Sequence, residues 1–239
     1  MLFDLIQYPN GLTNETYVVP NSVTTIGQSA FAESNSALTT ITLPEGLNTI
    51  EPKAFESMGL TTINIPTTVS SIEEYAFRHC SSLSKITAEG NSKYSVETQG
   101  GLIEKTSETD ITLVLYPQAK SDNNTYSIPS EVTKIAGYAF YGQTHLKYIE
   151  MNEKVHTINE YSFNGMTQLR TITLPTSLTT IQREAFTMCS SLRMVVIKNR
   201  SNEISVEDNT KIFDENTNLK IYSFDKYPKN PFQEKRLKR

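Results

Sequence analysis

The 239-residue chain has no tryptophan, two cysteines and three histidines, and nowhere does it hold an uninterrupted apolar run of about 18 residues. Without such a run no segment reads as a transmembrane helix. The histidines His79, His145 and His156 share no i, i+4 spacing, and HExxH and CxxC patterns are missing, so no zinc site is expected. Nor does the chain contain Gly-x-Ser-x-Gly or a paired Cys and His, the arrangements that activate a nucleophile. Asp208–Glu215 carries the acids of a calcium loop but lacks its glycine and its final glutamate. The expectation is a protein without catalytic residues, metal or cofactor.

Charge is also scarce and unevenly placed. The net value is −4, yet residues 226–239 carry Lys226, Lys229, Lys235, Arg236, Lys238 and Arg239 against Glu234 alone. That basic tail contributes +5 and leaves −9 on the rest. An acidic body argues against a nucleic-acid partner, which needs a basic stripe to neutralise phosphates. The opening MLFDLIQYPNG lacks the basic start, apolar core and small-residue cleavage site of an export signal.

What the chain does have is a period. VTTIGQSAF (Val23–Phe31), LNTIEPKAF (Leu47–Phe55), VSSIEEYAF (Val69–Phe77), VTKIAGYAF (Val132–Phe140), VHTINEYSF (Val155–Phe163) and LTTIQREAF (Leu178–Phe186) are one phrase repeated. Its phenylalanines are spaced 24, 22, 63, 23 and 23 residues apart. Self-similarity at such a period marks a stack of equivalent coils, each burying a thin slice against its neighbours.

One repeat shows how. In Leu38–Pro44 the alternation of Leu38, Ile41 and Leu43 with Thr40 and Thr42 predicts a short strand with one apolar face. Pro44 ends it, because proline cannot donate to the next ladder. Leu47 and Ile50 form a second apolar step, and Ala54-Phe55 closes the coil with a ring in its middle. Cys80 and Cys189 fall at one phase of repeats three units and an insertion apart. Stacked strands lie about 4.8 Å from each other, so these residues are at least ~14 Å apart. A disulfide needs about 7 Å or less between Cα atoms, so both are expected free and buried.

The 63-residue gap holds an insertion at 88–129, in which Gly100-Gly101 before Leu102-Ile103 predicts a hairpin turn and Ile111–Tyr116 a strand. Residues 1–20 parallel the end of that insertion and read as a partial unit. Residues 212–225 read as a C-terminal cap, making 1–225 a single solenoid followed by the tail.

The intact I-G-x-x-A-F at Ile26–Phe31 and A-F-x-x-C-S-S-L at Ala76–Leu83 and Ala185–Leu192 resemble the BspA-like leucine-rich repeats, or TpLRR class. The cysteine site holds Met58, Gln143 or Met166 in other repeats, Ser162 stands for alanine, and Asn159 occupies the glycine site, where it would tolerate a positive φ. The resemblance implies an α/β leucine-rich-repeat solenoid, a curved stack of ~23-residue repeats with short strands on one face and an inserted β-hairpin. It also implies a non-enzymatic adhesion or protein-binding module at a cell surface or outside the cell. Its partner would be a protein or glycan, such as host matrix or another cell. A structural spacer in a longer surface protein and an intracellular scaffold are the alternative readings.

The outer side of the strands is the expected binding face. Thr40, Thr42, Thr62, Asn64, Lys85 and Thr87 make it bland in the first half, since threonine simply suits an exposed strand. The second half sets Tyr148, Glu150, Thr171, Thr173, Met194 and Val196 there, and tyrosine and methionine are favoured in interfaces.

Overall fold

The computed structural model describes residues 3–8, 14–32, 37–198, 204–206, 211–213, 216 and 219–223. The basic tail, most of the Asp208–Glu215 segment and parts of the C-terminal cap lie outside the described residues. Contacts divide the chain into two compact units, Met1–Lys105 with Tyr116–Lys120, and Thr106–Leu115 with Ser121–Arg239.

In the first unit, the strands Thr16–Val18, Thr40–Thr42, Thr62–Asn64 and Lys85–Thr87 stack in parallel as one sheet. Phe3–Leu5, Val23–Ile26, Thr49–Ile50 and Ser71–Ile72 form a second parallel sheet. Every turn of chain contributes one strand to each. Between the two strands, Leu38, Leu47, Ile50, Ala54 and Phe55 are fully buried. The proline that ends the first strand also opens the connecting turn: Leu47 N–H donates to the Pro44 carbonyl and Val69 N–H to that of Pro66. Tyr94–Val96 and Leu102–Ser107 pair antiparallel, with Gly100 at φ 95° in the turn that joins them. Buried Tyr94 accepts the Ile72 N–H at 2.9 Å through its hydroxyl, in place of a further strand.

The second unit repeats the plan. Thr125–Ser127, Tyr148–Glu150, Thr171–Leu174, Met194–Ile197 and Lys220–Ser223 form its first sheet. Asp110–Leu115, Lys134–Ile135, Thr157–Ile158, Thr180–Ile181 and Ser205–Val206 form the second. Down the middle, Phe140, Phe163, Phe186 and Phe213 stack at centroid distances of 5.1, 4.8 and 5.3 Å. Phe31, Phe55 and Phe77 do the same in the first unit, at 5.4 and 5.2 Å. Each such pair adds about 0.5–1.5 kcal/mol beyond the area it buries.

The helical part of the expected α/β label finds no counterpart, since there is no helix among the described residues. The reason lies in the Ala-Phe arcs. Their amides bond to the next coil rather than along the chain: Phe55 N–H to Ala76 O, Phe140 to Ser162 and Phe163 to Ala185, at 2.7–2.9 Å. Two left-handed residues, four apart, bracket the arcs of Phe55, Phe77, Phe140, Phe163 and Phe186, as at Lys53 and Ser57, Tyr75 and His79, or Glu184 and Met188. A right-handed helix cannot run through them. The positive φ therefore falls two residues after the expected glycine site, and neither Gly27 nor Asn159 adopts one. Gly27 is needed for close approach instead, because a Cβ there would meet the Leu5 carbonyl oxygen at 3.0 Å.

Candidate functional site

In both first sheets the apolar residues point inward and their neighbours outward, as the period-2 pattern demands. Ile41, Ile63 and Ile86 are buried in the first unit, and Ile149, Ile172 and Val195 in the second. The outward positions line up across the strands. Tyr148 pairs with Thr171, Thr171 with Met194 and Met194 with Lys220. Thr173, Val196 and Tyr222 make a second row.

All six residues expected at the site face this way. Tyr148, Glu150 and Met194 are exposed, and Thr171, Thr173 and Val196 half-buried. The register brings Tyr148, Thr171 and Met194 side by side, and Thr173 beside Val196. Glu150 accepts the Ser127 hydroxyl at 2.6 Å, which fixes its carboxylate at the first two strands of the sheet. Tyr222 and Lys220 were not expected. Tyr222 is 50% exposed, more than Tyr148 at 39% or Met194 at 37%. Alternation in Lys220–Ser223 carries the signal for both.

The result is a surface with two tyrosines and a methionine set on strands about 4.8 Å apart. The backbone beneath is held by the ladder on one side and the phenylalanine column on the other. On the first unit the corresponding rows are Thr16, Thr40, Thr62 and Lys85, and Val18 with Thr42. Val18, 67% exposed, is the one apolar group there.

Both cysteines are free and buried, and burial pushes each thiol up to about 12. Among the described residues no three of His, Cys, Asp and Glu come together as a metal site, and no helix is long and apolar enough to cross a membrane.

The description "BspA type leucine rich repeat region" fits residues 9–101 and 118–233 in six copies. Among solved structures, the chain is similar to a leucine-rich cell surface protein of Faecalibacterium prausnitzii, with 26% identity over 88% of this chain and 60% of that one (TM-score 0.67). The pneumococcal vaccine antigen PcpA gives 26% identity over 88% and 63% (TM-score 0.69). A leucine-rich repeat protein of Eubacterium ventriosum shares the fold at 24% identity over 89% and 60% (TM-score 0.72). The chain thus spans about three fifths of the length of these relatives. Among proteins of curated function, none matches. The chain belongs to the BspA-type leucine-rich repeat family.

Proposed function

We propose that this chain is a non-enzymatic recognition module of a surface or secreted protein, which presents the strand face of its second unit to a protein or glycan partner. The observation that carries the reading is the exposure of Tyr148, Met194 and Tyr222 on a rigid sheet whose counterpart in the first unit is mostly threonine. Tyrosine and methionine gain by losing water against a partner, and a preordered backbone keeps the entropic cost of that contact low. Similarity to a cell surface protein and to a vaccine antigen supports the surface setting. Family membership and the inaccessible thiols support the non-enzymatic part.

The test is a hydrogen-exchange footprint. The purified chain is screened against a panel of extracellular matrix proteins and glycans, and exchange is measured with any binder. Protection concentrated at residues 148–150, 171–174 and 194–197 is the expected result. Protection confined to residues 94–107 would move the site to the hairpin, and no binder at all would favour the spacer reading.

A further inference from the structure

Next to the first sheet of the second unit runs a line of positive charge. Lys147, Arg170 and Arg193 each immediately precede one of its strands, at one phase of three successive turns. Their backbones are bonded in series: Arg170 N–H to Lys147 O at 3.0 Å, Arg193 N–H to Arg170 O at 2.9 Å, and Lys220 N–H to Arg193 O at 2.9 Å. Successive members therefore lie about one strand spacing, roughly 4.8 Å, apart. Arg170, Arg193 and Lys220 are exposed and Lys147 half-buried.

None of the four is in an ion pair with a described residue, whereas Lys134, Arg183 and Lys198 of the same unit each pair with a carboxylate. Arg193 only donates to its own turn, to the Ser190 carbonyl at 2.9 Å. In the first unit the same line of backbone bonds runs through Glu15, Thr39, Thr61 and Ser84, with no cation. A row of unpaired like charges on adjacent turns repels itself, which gives no stability to the folded chain. It stands in a protein of net charge −4, so it is not part of a general basic surface.

We propose that this row is a docking track for a linear anionic glycan carrying sulfate or uronate groups. A polymer with regularly repeated charge matches cations repeated once per turn, and a pyranose unit spans about one strand spacing. At the start of the row an open depression of about 490 Å³ is lined by Asn123, Asn124, Thr144, His145 and Gln168 beside Lys147. Amide and hydroxyl groups of this kind both donate and accept, as sugar hydroxyls require. Tyr148 adds an exposed ring on the neighbouring position. Of the carboxylates bordering the surface, Asp122 lies in the depression and Glu150 is engaged by Ser127.

The track borders the Tyr148–Met194 face and shares Tyr148 and Lys220 with it, but Arg170 and Arg193 lie outside the Tyr148–Met194 pair, so different substitutions test the two proposals. The test is titration calorimetry of the full chain with dextran sulfate, uncharged dextran, poly-glutamate and oligothymidylate, over a series of salt concentrations. Dextran sulfate is expected to bind tightest and uncharged dextran not at all. Arg170→Gln with Arg193→Gln is expected to weaken dextran sulfate binding at least about ten-fold and to make the salt slope shallower by about two. Lys235→Gln with Arg236→Gln, the same charge change in the tail, is expected to have no such effect. The proposal is overturned if the tail pair loses as much as the row pair, or if the wild-type chain does not bind dextran sulfate. Equal or tighter binding of poly-glutamate or oligothymidylate would overturn the assignment to a glycan.

Discussion

The Cys189 thiol donates to the carbonyl oxygen of Phe163, one turn earlier, at 3.1 Å. Cys80 makes the same bond to Phe55 at 3.1 Å, and Asn216 reaches the Phe186 carbonyl from the equivalent site at 2.9 Å. The cysteine position is thus a donor site as well as an apolar one where Cys80, Cys189 or Asn216 fills it, and there it ties the arcs of Phe55, Phe163 and Phe186 to the next coil. Cys189→Ala removes the donor and leaves a small void, and should cost about 1–3 kcal/mol of stability. Denaturant unfolding of the variant measures it.

The same burial sets a pH limit. A thiol that titrates near 9.0 when unfolded is held at about 12 when folded, mainly by desolvation. Above pH 9 the unfolded chain releases these protons and the folded one does not, so stability is complete below pH 9 and is lost as pH rises towards 12. Unfolding midpoints measured from pH 8 to 11 should fall less in Cys80→Ala/Cys189→Ala than in the wild type. Alkylation of the native chain below pH 9 should be slow at both cysteines and fast once the chain is unfolded.

Ser162 replaces the alanine of the repeat, and its buried hydroxyl has no hydrogen-bond partner among the described residues. Desolvating a hydroxyl without compensation costs about 1–3 kcal/mol. Ser162→Ala should therefore raise stability by about that amount, read as a higher thermal midpoint. No change would mean that water reaches the hydroxyl.

Phe140 is fully buried between Tyr126 and Phe163, at ring distances of 5.4 and 5.1 Å. Phe140→Ala should cost about 3–5 kcal/mol, since the rings on either side cannot both close the gap. An unchanged denaturation midpoint would contradict a continuous column.

Much of this was legible in the sequence. Phenylalanines 22 to 24 residues apart can only superimpose if each coil closes at the same place, so the ring column follows from spacing. Alternation placed Tyr148 and Met194 outward. The left-handed positions were not legible, because Ser29, Lys53, Tyr75 and Glu184 share no side-chain property. Their φ is imposed by bonds to the neighbouring coil, which sequence does not display. Tyr222 was missed because the V-x-x-I step that should follow its strand is absent, and the segment reads as an end cap. The Lys147–Arg170–Arg193 row sits in L-K-Y, L-R-T and L-R-M, plainly aligned, but net charge averages a local row away.

The central claim is that the strand face of the second unit carries recognition, and paired substitutions test it most directly. Tyr148→Ser with Met194→Ser should weaken binding to a partner found in the panel by about 1–3 kcal/mol without lowering stability. Thr40→Ser with Thr42→Ser, on the first unit, should leave affinity unchanged. If the two pairs bind alike while deletion of residues 90–127 abolishes binding, the insertion is the recognition element and the strand face is not.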